Sequence, residues 1–273
     1  MNVMRIRPVE DGDFRLFRRY EPGAPLSACI GLDAHSGEPI RVAFDAAGGG
    51  NIMIVGRSRE AALGICMVAL LDLATQITST PGQREIYTTP PFSIMDFVST
   101  EESRVFADAA MSLPLPVKLE RDTISEMTSL GDFQYALLQR DRHPEAPRHA
   151  KFLFICGFHA AHGMRSRGSY APDTTTPNAA RLARILRDGT AHSLFAVVWC
   201  NTFANLDLTR PEGLADFDHV IVLDGAGDPP PDLPAEPGEN AWYINRRTRS
   251  ATPITPLALP PESWSDAVIR SFV

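Results

Sequence analysis

The stretch 51–71, NIMIVGRSREAALGICMVALL, constrains the fold of this chain more than any other segment. Four residues of strand type, 52–55, lead into Gly56, and a short polar turn follows. From Glu60 the sequence is rich in alanine and leucine, which is typical of a buried helix. The segment therefore predicts a strand, a tight turn and a long core helix in direct succession.

A strand, a glycine turn and a helix in this order form a P-loop, in which backbone amides and the helix N-terminus hold phosphate groups. The phosphate-binding and metal-binding residues of the pattern G-x-x-x-x-G-K-[ST] are absent here. When the pattern starts at Gly56, the second glycine, the lysine and the hydroxyl residue are replaced by Ala61, Ala62 and Leu63. Placing the second glycine at Gly64 does not restore the motif, because isoleucine and cysteine follow it.

Length and composition indicate a globular protein with a full hydrophobic core. With 273 residues and 44% hydrophobic content, the chain can bury a full core. We predict one domain at 31–250, an N-terminal extension at 1–30 and a proline-rich C-terminal tail at 251–273. The net charge of -7 gives no overall electrostatic footprint for nucleic acid.

Cysteine usage and hydrophobicity indicate a cytoplasmic location. The four cysteines lie far apart, and the last three stand in apolar runs where a reduced cysteine behaves as a small hydrophobic residue. The N-terminus does not resemble a signal peptide, because charged residues interrupt it. The most apolar segment, 61–73, is shorter than a bilayer span and contains Asp72, so we expect no membrane span.

Apolar runs alternate with helical patterns along the chain. Strands are predicted at 41–44, 52–55, 85–88, 92–97, 117–119, 151–157, 195–200, 219–223 and 241–245, the last as an edge strand. Helices are predicted at 60–78, 101–111, 123–140 and 179–187, with an extended tail that ends in a short helix at 264–272. This alternation predicts a three-layer α/β fold with a mostly parallel sheet.

Three segments together resemble the motor domain of the FtsK/SpoIIIE and HerA group of DNA-translocating P-loop ATPases. They are GEPIRVAFDAAGGGNIMIVGRSREAALG at 37–64, KFLFICGFHAAHGMRSR at 151–167 and RLARILRDGTAHSLFAVVWCNTFANL at 181–206. The third segment is the most specific, because a helix ending in L-R-D-G passes through a short link into a strand that ends in polar residues. The resemblance covers roughly 31–250 and implies a RecA-like P-loop NTPase fold.

The sequence is most similar to degenerate ATPase modules of large FtsK/SpoIIIE-like proteins and, more distantly, to the inactive ATPase modules of type VII secretion EccC proteins. Residues 151–157 take the place of the Walker B strand, which ends here without a carboxylate. No catalytic residue, metal ligand or cofactor is therefore expected, although ATP with Mg²⁺ at the altered loop stays open. The candidate nucleotide-binding residues implied are Gly56, Arg57, Ser58, Arg59, Glu60, Ala61, Ala62, Leu63 and, at the sensor-like position, Asn201.

Two further groups of residues after 151–157 have competing interpretations. His159 and His162 form an H-x-x-H pair, but no third metal ligand stands near them, so surface or core histidines are the simpler interpretation. Arg165 and Arg167 could contact nucleic acid or a neighbouring subunit, and the simpler interpretation is solvated loop charges.

Three functional hypotheses follow. The first is a pseudo-ATPase, a domain without catalysis that serves assembly, regulation or partner recognition in a DNA-translocase-like system. The second is an ATP-binding subunit of a translocating ring that hydrolyses ATP only with neighbouring subunits, which requires an oligomer. The third is a peptide-binding module that uses the vacated nucleotide pocket. Each requires a protein partner or a neighbouring ATPase domain.

Overall fold

A computed structural model of the chain describes residues 4–21, 23–45, 49–79, 89–121, 128–146, 148–164, 177–206, 213–230, 233 and 241–272. The strands are β1 Leu26–Asp33, β2 Pro39–Phe44, β3 Ile52–Val55, β4 Phe92–Asp96, β5 Val117–Glu120, β6 Lys151–Cys156, β7 Leu194–Cys200, β8 His219–Val222, β9 Ala241–Asn245 and β10 Ser250–Thr255. The helices are α1 Arg59–Ser79, α2 Glu101–Met111, α3 Thr128–Arg142, α4 Pro177–Asp188 and α5 Glu262–Arg270.

All ten strands form one sheet in the order β2-β1-β10-β9-β8-β3-β7-β6-β4-β5. The six strands from β8 to β5 are parallel, whereas β2, β1, β10 and β9 are joined by antiparallel pairing. Helices α1, α2 and α5 pack on one face, and α3 and α4 pack on the other. This arrangement confirms the predicted three-layer α/β fold with a mostly parallel sheet.

Helix α1 is the core of the molecule. Sixteen of its 21 residues are buried, on all sides of the helix, because the sheet, α2, α5 and the N-terminal segment surround it. By length and composition α1 could cross a membrane, and it is the one such helix in the described part of the chain. Since 89% of its most apolar window is buried inside the fold, its hydrophobicity is explained by core packing.

The local predictions succeed where apolar runs are sharply bounded. Strands 52–55 and 241–245 and helix 101–111 have the predicted bounds. Two strands were not predicted, β1 and β10, because neither shows clear alternation and β10 contains Pro253. The prediction that 241–245 is an edge strand is wrong, since β9 lies between β8 and β10. The strand predicted at 85–88 and the start of the helix predicted at 123–140 lie outside the described residues.

Both ends of the described chain meet over α1. The backbone of Arg7 pairs with the C-terminal segment, donating to Pro256 O at 3.0 Å and accepting from Ala258 N at 2.8 Å. The rings of Phe17 and Trp264 are 5.7 Å apart. The first and last segments therefore belong to one packing layer.

His219 opens β8 in a buried polar pair. The residue is 6% exposed, and its ring stacks on Tyr243, whose hydroxyl lies 2.9 Å from Nδ1. Burial lowers the pKa of His219 from 6.5 to about 4, although the neighbouring Asp218 carboxylate opposes this shift. The native protein therefore resists protonation of this ring over a range where the unfolded chain accepts the proton.

We expect His219 to lower the free energy of unfolding by up to about 3 kcal/mol as the pH drops from about 6.5 to 4, seen as the difference between wild type and His219→Gln. The difference is needed because Asp72, whose pKa burial raises to about 6, titrates in the same range with the opposite sign. Stability from His219 is present above pH 6.5 and is lost towards pH 4, because the unfolded state binds the extra proton. Urea denaturation of wild type and His219→Gln over this range measures the effect, with the exposed His143→Gln as control. An unchanged slope in His219→Gln would contradict the assignment.

Candidate functional site

The carboxyl ends of the parallel strands β8, β3, β7, β6 and β4 meet at one edge of the sheet, the edge where α/β proteins bind ligands. The loop after β3 lies at the centre of this edge and leads into α1. The sequence-predicted site residues 56–63 and Asn201 are brought together here, because β7 is the direct neighbour of β3.

The loop between β3 and α1 is short. Only Gly56, Arg57 and Ser58 separate the two elements, and Ser58 O already accepts the first helical bond from Ala62 N at 3.0 Å. A Walker loop keeps six residues, G-x-x-x-x-G, before its lysine. Here the helix begins at Arg59, so the positions aligned with the second glycine, the lysine and the hydroxyl residue lie within the first turns of α1.

The first two amides of the loop are bound by the protein itself. Gly56 N donates to Cys200 O at 3.0 Å, and Arg57 N donates to Asp224 O at 2.8 Å. A side chain at Gly56 would place its Cβ 2.5 Å from the Cβ of Leu223. These contacts fix the loop between the ends of β7 and β8 and leave neither amide directed at a ligand.

The charged residues of the loop lie at its surface. Arg57, Arg59 and Glu60 are exposed, and Arg59 Nη1 lies 3.4 Å from Glu102 Oε2 at the start of α2. Hydrogen bonding at the helix N-terminus, first to its own backbone amide and then to Thr100, lowers the pKa of Glu102, and Arg59 adds to this. The ionised carboxylate of Glu102 therefore lies beside Arg59, the residue that would otherwise be available to bind an anion.

The positions aligned with the lysine and the metal-binding hydroxyl face the protein core. Ala61, Ala62 and Leu63 are each 0% exposed and belong to the hydrophobic cluster between α1 and the sheet. Cys156, the last residue of the strand at the Walker B position, belongs to the same cluster.

The end of β6 is closely packed. A hydrogen bond with the Cys66 thiol of α1, together with burial, raises the pKa of Cys156 well above its ordinary value. The next residue, Gly157, has φ 80°, and a Cβ there would lie 2.6 Å from Cγ1 of Val98. Phe158 follows and is fully buried. All four cysteines are buried and free of disulfides. Burial in apolar elements was predicted for Cys66, Cys156 and Cys200 but not for Cys29.

The remaining predicted residues lie in the loops after β6 and β7. Asn201 is half-buried and accepts a hydrogen bond from Asn205 Nδ2 at 2.8 Å. The His159 ring packs edge-on against Trp199, with centroids 5.7 Å apart, while His162 is exposed. Among the described residues there is no group of three or more metal-ligating side chains. Arg165 and Arg167 lie outside the described residues.

Two residues at this edge were not singled out from the sequence. Trp199 is 2% exposed and donates from Nε1 to Gly56 O at 3.0 Å, so its indole supports the loop from β7. Asp96, at the end of β4 opposite Cys156, is 1% exposed and accepts from Val98 N and Ser99 N at 3.1 and 3.2 Å. The sequence does carry a signal for Asp96, because it is a polar residue at the end of a buried apolar run.

No protein-family model and no curated protein matches the sequence. Solved structures do match it in three dimensions. EssC (ATPases 2 and 3) from Geobacillus thermodenitrificans aligns over 100% of this chain and 52% of that chain, with 14% identity and a TM-score of 0.63. EccC (ATPases 2 and 3) from Thermomonospora curvata, in complex with a signal sequence peptide, aligns over 95% and 51%, with 13% identity and a TM-score of 0.59.

A third structure is the pCW3 conjugation coupling protein TcpA in a monomer form with ATPγS, at 8% identity over 97% of this chain and 74% of that one, with a TM-score of 0.59. The fold is that of an FtsK/HerA-like P-loop ATPase domain. This likeness confirms the resemblance drawn from the sequence at the level of the fold. The chain spans about half the length of the EssC and EccC chains that it matches.

Proposed function

We propose that this chain is a pseudo-ATPase, an ATPase-like domain that serves assembly, regulation or partner recognition in a translocase-like system and does not hydrolyse ATP. The proposal rests on which residues stand in place of the metal-binding groups of a P-loop enzyme. Leu63 aligns with the metal-binding hydroxyl, and Cys156 is the last residue of the strand that takes the place of Walker B. Both are fully buried in one hydrophobic cluster.

Phosphoryl transfer depends on charge at this position. The lysine and Mg²⁺ of a P-loop enzyme neutralise the charge that develops on the phosphates, and a Walker B acid holds the metal. Here a leucine side chain, an alanine and a thiol replace these groups. The hydrogen bond with Cys66 and burial raise the pKa of Cys156, which disfavours the thiolate form.

Phosphate binding without hydrolysis is also disfavoured. The amides of Gly56 and Arg57 are already engaged by carbonyl groups of Cys200 and Asp224. A triphosphate would have to displace these bonds and approach the carboxylates of Glu60 and Glu102. The opposing charges are those of the exposed Arg57 and of Arg59, and Arg59 is already paired with Glu102.

Isothermal titration of the full chain with Mg-ATP tests the proposal. We expect no binding heat at micromolar to millimolar nucleotide and no phosphate release, because the charges that hold the triphosphate are missing. Adding DNA and a neighbouring ATPase domain should leave this chain without turnover of its own. Micromolar binding accompanied by turnover would overturn the proposal and favour the ring-subunit alternative, in which neighbouring subunits complete the site.

A second candidate function is peptide binding at the same edge of the sheet. It is favoured by the EccC structure in complex with a signal sequence peptide, which this chain matches over 95% of its length. Since Leu63 is fully buried, a peptide would lie above the loop, next to Arg57 and Asn201. The same calorimetry with a signal-sequence peptide in place of nucleotide distinguishes this function from a purely structural one.

A further inference from the structure

Helix α3 has one face in the core and one face towards solvent. Leu130, Phe133 and Leu137 are buried and pack with residues of the sheet and of α4. The opposite face is formed by residues at helical spacing, which are Thr128, Gly131, Tyr135, Leu138 and Arg142. Each of them is partly or fully exposed, and we call these five residues the outer face of α3.

The fold of a single chain does not explain Gly131. Glycine inside a helix is less stable than alanine, because it loses more conformational freedom on folding. Gly64 of α1 is explained by contact, since a Cβ there would lie 2.2 Å from Leu257 O. At Gly131 a Cβ would meet no atom within 4 Å, and the backbone does not have a positive φ. The missing side chain therefore leaves a hollow in the outer face of α3.

Tyr135 projects beside this hollow. It follows Gly131 by four residues, and residues at this spacing are neighbours on a helix surface. The tyrosine is 65% exposed, more than any other large hydrophobic residue in the described part of the chain. Tyrosine is enriched in protein interfaces, where it brings a large contact area at a small cost in side-chain entropy. A projecting ring and a hollow therefore lie side by side on one helix.

We propose that the outer face of α3 is the contact surface of a homodimer. In the dimer the two α3 helices cross antiparallel about a twofold axis at the level of Phe133, and Tyr135 of each copy lies on Gly131 of the other. A twofold contact uses the same patch on both copies, so a hollow and a ring on one face complement each other twice. The glycine allows the two helix backbones to approach closely at this point.

Charges on α3 favour the antiparallel arrangement. Antiparallel helices oppose their dipoles, which places the positive end of one helix beside the negative end of the other. Between 128 and 139 the only charged residue is Asp132, and this register places it opposite Gln134. Arg142, in the last turn, comes near the start of the other α3, where the Glu120 carboxylate accepts Ser129 N at 2.8 Å. Opposite charges therefore lie near each other at both ends of the contact.

The dimer goes beyond the proposed function and does not rest on it, because α3 contributes no residue to the candidate site. A single pair of crossing helices buries less than the roughly 1,200–2,000 Å² of a standard interface, so we expect a weak dimer with a Kd of about 10–100 µM.

Sedimentation velocity of the full chain at concentrations from about 5 to 500 µM tests the dimer. The wild-type chain should convert reversibly from monomer to dimer over this range. Tyr135→Ala removes the ring and Gly131→Ala fills the hollow, so each should raise the Kd by about tenfold or more. A wild-type chain that stays monomeric would overturn the proposal, and another protein would then be the occupant to seek. A dimer that either variant leaves unchanged would use another surface and would also overturn it.

Gly131→Ala separates a lost contact from a damaged fold. The same variant should raise the free energy of unfolding at a concentration where the chain is monomeric, because alanine is favoured in a helix. Met111→Ala is the matched control, since it removes the other highly exposed hydrophobic side chain, 54% exposed, from α2 on the opposite face of the sheet. It should leave the Kd unchanged, and equal weakening of the dimer by Met111→Ala would contradict the proposal.

Arg142→Ala tests the orientation of the two helices. In low salt it should raise the Kd about threefold, because it removes the attraction to Glu120 of the other copy. The control Arg104→Ala makes the same change in net charge at an exposed position of α2 and should leave the Kd unchanged. An unchanged or tighter dimer in Arg142→Ala would mean that opposite charges do not meet there, and it would overturn the antiparallel arrangement.

Discussion

Replacing Asp72 by alanine is expected to lower the free energy of unfolding by about 3–5 kcal/mol, because it leaves a buried guanidinium without its counter-charge. Asp72 lies in the middle of α1 and is 0% exposed. Its carboxylate is paired with Arg41 of β2, whose side chain is only 13% exposed. Burial raises the pKa of Asp72 to about 6 against the opposing effect of Arg41, so the measurement belongs at about pH 8, where the group is ionised.

The carboxylate of Asp72 connects four parts of the chain. It accepts Cys29 N of β1 at 2.8 Å and Arg18 N of the N-terminal segment at 3.1 Å, in addition to the Arg41 pair. Gln76, one turn further along α1, donates to it at 3.0 Å and also exchanges hydrogen bonds with the backbone of Ser27. Loss of the carboxylate therefore leaves several buried donors unsatisfied at once.

Urea denaturation of Asp72→Ala measures the effect, and Asp132→Ala is the matched control. Asp132 is paired with Lys118 but is 57% exposed, so its loss should cost less than about 1 kcal/mol. The double variant Arg41→Met with Asp72→Ala should be less destabilised than the sum of the single variants, because no unpaired charge is left. Additive effects, or a small loss in Asp72→Ala, would contradict this account.

Gly64→Ala is expected to destabilise the protein by about 3 kcal/mol or more, through a clash that no side-chain rotation can relieve. A Cβ at this position of α1 would lie 2.2 Å from Leu257 O, 2.8 Å from Ala258 C and 2.9 Å from Leu259 N. All three are backbone atoms of the segment between β10 and α5. The helix and this segment can separate only if the C-terminal layer shifts.

Helix propensity acts in the opposite direction, which makes the test clear. Alanine is favoured over glycine in a helix interior by about 1 kcal/mol, so a stabilising result is the default expectation for Gly→Ala. A Cβ added at Gly131 of α3 would meet no atom within 4 Å, and Gly131→Ala should raise the free energy of unfolding. If urea denaturation shows Gly64→Ala to be as stable as Gly131→Ala, residues 257–259 do not pack on α1 as described.

The central elements could be predicted because their sequence signals are local. The apolar runs of β3, β6 and β7 can be buried on both faces only in the middle of a parallel sheet, and α1 has no polar face. The position of the candidate loop followed from the succession of β3, Gly56 and α1. By contrast, β1 and β10 are held in the sheet by partners distant in sequence, and their own patterns are weak.

The candidate site was predicted in its position but not in its contacts. The absence of a Walker lysine, hydroxyl and acid is a prediction from the sequence, because these are residue types expected at fixed spacing. It did not predict that Trp199 supports Gly56 or that Cys156 meets Cys66, because those pairs are formed by strands and helices far apart in the chain.

The sequence by itself determined the parallel core, the helix α1 and the residue types in the loop between β3 and α1, because periodicity and motif spacing are properties of short segments. Only the tertiary structure decided what surrounds them. The Asp72 carboxylate that interrupts the most apolar run is a buried junction with Arg41, and the chain's own carbonyls bind the amides of the loop. Both depend on long-range packing, because a buried polar group is stable only where the fold brings it a partner from a distant part of the sequence.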